Sequence, residues 1–373
     1  MSSSKKIQDT ENTNEWINWI EEKKIVTKND ITENTQFSNK QEFDETTLKI
    51  NNNSELQELS QYIQYFDKIN IKEVDPITVS IKQEKLLSEK GFEIIVDEAN
   101  DLIFKLLNKG IEWQLLEEQV IDYFNNHNIN LQEIYNWSLY NQNISNSIFL
   151  LGYFNYRGIE TSVNTERAFN LFVNASEKDH ILAQYFAGNC YEFGNGTTKN
   201  EKLAFKYFEK SANKNFSLGQ SEIGYFYEHG ISIKKNLKKA FYWYEKAANN
   251  GNILAMHNLG KCYLNGDGVK KDCYKAFELF KKSAEGSNSR GITMLGYCYE
   301  TGIGTEIDKQ KAFELYQKSA NLGEMVARYN LGIMYEFGKG ITKDIDRAIY
   351  WYKKSAKRGC KHAQNRLEIL QKN

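Results

Sequence analysis

Cys190, Cys262 and Cys298 are the residues that first invite chemistry, because they stand at multiples of 36 residues from one another. Regularly spaced thiols can ligate zinc, close disulfides or act as nucleophiles. Each use needs company that this spacing does not supply. The same slot holds Phe154, Phe226 and Met334 elsewhere in the chain, so it accepts large apolar side chains and the thiols read as core. Equivalent positions on neighbouring units of a helical stack lie about 10 Å apart, beyond disulfide reach. There is no C-x-x-C pair, and Cys273 and Cys360 are isolated. His229 and His257 could approach one another, yet no third ligand of matching geometry joins them. Gly194-Asn195-Gly196 has the composition of a phosphate loop but no preceding strand. No nucleophile, base and orienting group fall into one pattern. The chain is expected to be non-enzymatic, with no metal and no cofactor.

The elements behind these residues follow a ruler. Gly152, Gly188, Gly224, Gly260, Gly296 and Gly332 stand 36 residues apart, the signature of a stack of similar supersecondary units. Six residues after each comes another glycine, from Gly158 to Gly338, which reads as the end of a helix. Twelve residues after each comes Asn164, Asn200, Asn236, Asp272, Asp308 or Asp344. All are good N-caps, so a second helix begins there. Ala168, Ala204, Ala240, Ala276, Ala312 and Ala348 follow, each with a bulky pair such as Phe205 and Phe208. Small residues at crossings and large ones between them describe helix–turn–helix units packed on their neighbours. Ala363 to Leu370 restarts the pattern and stops, as a C-terminal cap.

Ahead of the stack, residues 1–54 are rich in Asn, Thr, Ser, Lys and Glu and are expected to be mostly disordered, with a short helix around Trp16, Trp19 and Ile20. Residues 55–143 carry several helical stripes, interrupted at Asp75-Pro76. The stripes through Val96, Leu102 and Leu106, through Val120 and Phe124, and through Ile134 and Trp137 predict a helical region covering the open apolar end of the repeats, which span 144–373. The 373 residues carry a formal net charge of −1, which gives no general pull toward nucleic acid or an anionic membrane. Five cysteines, no secretory signal near Met1 and no long apolar run predict a cytoplasmic protein. The lysines near the ends of second helices, such as Lys281-Lys282 and Lys353-Lys354, read as a solvated face that suits the helix dipole.

The pattern A-x-x-x-L-G-x-x-Y-x-x-G-x-G, then Asp or Asn, then K-A-x-x-W/Y/F-x-x-K-A-A resembles the Sel-1-like repeat, a relative of the tetratricopeptide repeat. Ala255, Leu259-Gly260, Tyr263, Gly266, Gly268, Lys275-Ala276, Phe280 and Ser283-Ala284 carry it most closely. The first unit departs with Asn155 in the tyrosine slot and Glu160 in the second loop-glycine slot, and the third with Ser232 there. The resemblance covers about 147–371 and implies an all-α, right-handed α-solenoid of six units. Disulfide-rich bacterial members pair cysteines within each repeat, a regular pairing that this chain lacks.

In the related tetratricopeptide solenoid the first helices line a concave surface. Carried over, that geometry implies a partner-binding groove of Tyr153, Tyr156, Tyr185, Glu192, Phe193, Tyr225, Glu228, His229, Tyr297, Glu300, Tyr329, Glu336 and Phe337. Aromatic contact area and a row of carboxylates would suit a basic or amphipathic protein segment, with no nucleic acid or membrane involved. Asn14-Glu15-Trp16-Ile17 and Phe37 to Glu42 also resemble the lead-in to the kinase domain of fungal kinase plus Sel-1-like repeat proteins. No glycine precedes Gly91, and neither an H-R-D loop nor a D-F-G site occurs, so the kinase itself is missing. The reading is a scaffold or adaptor, with a kinase-free regulatory relative, a decoy or a recruiter of kinases in trans, as the alternative.

Overall fold

The computed structural model describes residues 76–111 and 113–371. The expectations for residues 1–54 and 55–74 lie outside the described residues. Among the described residues there are 16 helices and no strand. The chain divides into two compact units at Gly91. The described part of the first is the opening of α1 (Pro76–Lys109). The second holds the rest of that helix, α2 (Trp113–Asn126), α3 (Leu131–Tyr140) and all the repeats. Everything below concerns this second unit.

Six helix pairs follow: α4 (Ser145–Arg157) with α5 (Thr165–Glu177), α6 (Ile181–Phe193) with α7 (Glu201–Asn213), α8 (Ser217–His229) with α9 (Leu237–Asn249), α10 (Ile253–Asn265) with α11 (Cys273–Glu285), α12 (Ser289–Thr301) with α13 (Lys309–Asn321), and α14 (Met325–Phe337) with α15 (Ile345–Ala356). A last helix, α16 (Lys361–Gln371), closes the stack. The fold is an all-α repeat solenoid. Each first helix ends on a left-handed glycine, and each second helix starts on an Asn or Asp whose side chain accepts the N–H three residues on. The same capping residue donates its own N–H back to the first helix, as Asn236 does to the Tyr227 carbonyl at 2.8 Å. Cap and chain reversal are therefore one device.

The anchor glycines are small because a ring lies across them. A Cβ on Gly224 would come within 2.7 Å of Tyr244, and one on Gly260 would come equally near Phe280. Both rings are fully buried, so a methyl there would force the two helices of a pair apart. Successive repeats are joined by a second set of rings. Phe169, Phe205, Phe241, Phe277 and Phe313 each meet the tyrosine of the following repeat edge-on, with centroids 5.1 to 5.8 Å apart. The first repeat has no second helix before it to supply such a phenylalanine. Its tyrosine slot holds Asn155 instead, buried, with Nδ2 donating to the Leu151 carbonyl at 2.8 Å.

Cys190, Cys262 and Cys298 are buried and free. Burial pushes the Cys190 and Cys298 thiols up to about 12, which keeps them protonated and suits packing rather than nucleophilic work.

Candidate functional site

The first helices carry the thirteen groove positions, and the structure sorts them into three groups. Tyr153 on α4, Tyr185 on α6, Tyr225 on α8 and Tyr329 on α14 are buried, Tyr153 completely. Their rings pack within the fold, three of them in the first three repeats and Tyr329 in the sixth. Neighbouring rings of the stack cover Tyr153 and Tyr225, and Tyr352 and His362 cover Tyr329, but part of the first-helix surface is covered from outside the repeats. Helix α1 runs across the N-terminal ends of four successive first helices. Asn100 donates to the Asn146 carbonyl at the start of α4 (3.2 Å) and meets Nε2 of His180, the N-cap of α6, at 3.1 Å. Phe104 rests on Phe216, the N-cap of α8, with centroids 5.3 Å apart. At the end of α1, Asn108 accepts the Ser217 N–H through Oδ1 (2.8 Å), and its carbonyl accepts from Asn252 Nδ2 (3.3 Å). Asn252 is itself the N-cap of α10. The carbonyl end of one helix thus meets the amide ends of two others, a favourable alignment of dipoles.

Helix α2 covers the same surface farther along. Trp113 stacks on Tyr185 at 6.5 Å and meets Phe186 edge-on at 5.5 Å. Glu117 accepts from Arg157 Nε at 2.9 Å. The open end of the stack is covered as well, since Phe124 and Tyr135 pack on Phe154 of α4. The helices before the repeats therefore do more than close an end. A signal for this exists in the sequence, because Asn100, Phe104 and Asn108 recur every four residues beside the apolar stripe.

His180, the N-cap of α6, is expected to make this contact depend on pH. Its ring stacks on Phe149 at 4.8 Å and touches Asn100. Burial, helped by the charge of Lys214, holds the imidazole down to about 4. Its unfolded value lies near 6.5, so between about 4 and 6.5 the unfolded chain binds the extra proton. Stability is then full above that window and falls as pH drops through it. Lowering pH from 7.5 to 5 is expected to cost about 2 kcal/mol at this site, read as a lower urea midpoint. A His180→Asn variant should lose that part of the pH dependence; an unchanged pH slope would show that the ring titrates normally.

The second group is the carboxylates. Glu228 accepts the Tyr244 hydroxyl and lies 3.9 Å from Lys261 of the next repeat. Glu300 accepts from Tyr316 (2.9 Å) and pairs with Lys339 (3.1 Å). Glu336 accepts from Tyr352 (2.7 Å) and from Arg366 Nε (3.1 Å). Each glutamate ties its own pair of helices together and reaches a cation in the following unit. Burial, and then the adjacent glutamate charge, raises the Tyr244 and Tyr316 hydroxyls well above their usual range, so they remain donors. Where that first-helix slot holds Tyr156 or Leu264, the ring 16 residues later is Phe172 or Phe280, with no hydroxyl. Glu192, buried on α6, breaks the rule, because its counterpart is Phe208. The row of outward carboxylates expected from the sequence is thus largely compensated within the fold.

The third group keeps accessible surface. Tyr156 is half-buried and its hydroxyl accepts from Asn195 Nδ2 at 3.1 Å. Phe193 is half-buried, as is His229, whose Nδ1 meets the Tyr225 carbonyl at 3.0 Å. His257 packs on Phe280 at 5.9 Å instead of approaching a ligand set. Tyr297 is half-buried on α12. Phe337 is 56% exposed, with the Arg366 guanidinium 5.4 Å from its ring centroid. Among the described residues no three His, Cys, Asp or Glu side chains converge, and no helix is long and apolar enough to cross a membrane.

The family model described as Sel1 repeat matches residues 145–180, 181–216, 217–252, 253–288, 289–324 and 326–360. Among solved structures the chain is similar to c5321, a protective antigen present in uropathogenic Escherichia coli strains displaying an SLR fold. That match has 29% identity over 65% of this chain, with a TM-score of 0.54, and spans about half (51%) of the bacterial chain. A Sel1 repeat protein from Oxalobacter formigenes is 27% identical over 69% of this chain and 96% of its own, with a TM-score of 0.55. No curated protein matches.

Proposed function

Because the chain belongs to the Sel1 repeat family, whose solenoids typically serve as non-enzymatic scaffolds for protein–protein contacts, we propose that it is a scaffold or adaptor binding an amphipathic protein segment on the first helices of its last repeats. One observation carries this reading. Helix α1 ends at Lys109 against the N-cap of α10, so its contacts stop short of α12 and α14, where Tyr297 and Phe337 keep accessible ring surface. The exposed Phe337 ring beside the Arg366 guanidinium, with the half-buried Tyr297 ring, supplies contact area at low entropy cost. A preference for basic partners is the weaker part of the proposal, because Glu300 and Glu336 already hold Lys339 and Arg366.

A partner isolated on the immobilised full chain should bind the Tyr297→Ala/Phe337→Ala variant at least about tenfold more weakly, since aromatic hot-spot residues typically carry 2 kcal/mol or more. Affinity within twofold of the unaltered chain would remove the face from consideration. The second reading, a kinase-free relative that recruits kinases in trans, rests on the resemblance of residues 14–17 and 37–42, which lie outside the described residues. Its check is whether a protein kinase co-purifies with the full chain and is lost when those residues are replaced.

A further inference from the structure

A different surface concentrates positive charge. The loop between α10 and α11 lies directly on the first turn of α9. Gly268, at φ +72°, sits where a Cβ would come within 2.2 Å of the Leu237 carbonyl, so backbone meets backbone and the joint is rigid. Beside it opens a cleft of about 760 Å³ lined by residues 235–238, Gly266 and residues 268–270. Lys235, Lys238 and Lys270 line it, and Lys234 and Lys271 are their chain neighbours; all five are exposed. None of the five pairs with a carboxylate among the described residues. The nearby acids are occupied, Asp267 by Asn265 and Asp272 by capping α11. Five like charges at one joint repel one another, in a chain whose net charge is only −1.

The concentration is specific to this joint. The slots of Lys234-Lys235 and Lys270-Lys271 hold Ser162-Val163, Thr198-Lys199, Glu306-Ile307 and Thr342-Lys343 in the other repeats. Lys199 already faces Glu201 at 2.9 Å. Two exposed rings lie close along the chain: Tyr242, one helical turn beyond Lys238 on α9, and Tyr274, four residues after Lys270 at the start of α11, 55% and 66% exposed.

We infer that this cleft, formed by the α10–α11 loop and the start of α9, binds an acidic, aromatic-containing segment of a partner protein. Asp and Glu side chains neutralise the lysines, and apolar side chains cover Tyr242 and Tyr274. Nucleic acid fits less well, because a phosphate backbone needs a continued basic track and the next repeat offers Glu306 and Ile307. The surface is separate from the first-helix face, so either assignment can fail alone.

The test uses the full chain and a fluorescein-labelled 12-residue peptide of alternating Asp and Glu containing two Phe, followed by fluorescence anisotropy. Binding is expected at 50 mM NaCl and should weaken steeply toward 300 mM. Lys235→Glu/Lys238→Glu/Lys270→Glu should lower the affinity at least tenfold. Reversal at Lys281, Lys282 and Lys353 should leave it within twofold. If the cleft variant melts early, Lys→Gln at the same three positions is read in its place. Absence of binding, equal loss in both sets of variants, or tighter binding of a labelled 12-mer oligodeoxythymidylate would overturn the assignment.

Discussion

Replacing Phe104 and Trp113 together with alanine is expected to destabilise the front of the stack by about 3–5 kcal/mol, and to do so regionally. The two rings join the segment before the repeats to the first helices. Phe104 lies on Phe216, and Trp113 lies on Tyr185 and Phe186. Both are partly buried, so each contributes less than a fully enclosed aromatic, and the sum falls within the range of one large core truncation. Repeat arrays distribute stability among nearest-neighbour interfaces, so the loss should be local. Hydrogen exchange should accelerate in α6 and α8 while α12 to α15 keep their protection. Uniform loss across all six repeats would show that the stack unfolds as one block. Unchanged protection in α6 would show that α1 and α2 contribute little to holding it.

The second large effect concerns the carboxylate–tyrosine pairs. Tyr316→Phe should cost about 1–3 kcal/mol, because it removes the hydroxyl that satisfies a largely buried Glu300 oxygen. Adding Glu300→Leu to that variant should recover most of the loss. The chain already contains that combination, since Leu264 and Phe280 occupy the same two slots in the fourth repeat. This pair is the informative one because Lys339, the cation left behind, is 42% exposed at its side chain and can return to water. At Glu228 the same change would strand Lys261, which is only 6% exposed. Equilibrium urea unfolding of the two single variants and the double variant closes the cycle. A double variant no more stable than Tyr316→Phe would mean that Glu300 stabilises through Lys339 rather than through the hydroxyl.

Much of the fold is legible in the residues alone. Anchor glycines, loop glycines and Asn or Asp caps each report a local event: a ring over a backbone, a left-handed turn, a satisfied amide. The reading of Cys190, Cys262 and Cys298 as core rested on comparing one slot across units, and burial agrees with it. The groove was less legible. Its residues were located by analogy with a bare stack, in which first helices face solvent. The Glu228–Tyr244, Glu300–Tyr316 and Glu336–Tyr352 pairs repeat between the same two slots, with Glu192 and Phe208 as the exception. Only the contacts in the folded chain show internal compensation rather than a displayed row of charge.

The repeat architecture follows from local sequence, because the interactions that build each unit and join it to the next span at most about one period. The Tyr244 hydroxyl reaches a carboxylate 16 residues away, and Glu336 reaches Arg366 across 30. Which first-helix residues are covered and which keep accessible surface is decided only in the tertiary structure. The segment that covers them comes from outside the period, with Asn108 meeting Ser217 across 109 residues and Asn252 across 144. A periodic code specifies neighbours, but it contains no term for a helix that crosses four repeats at once.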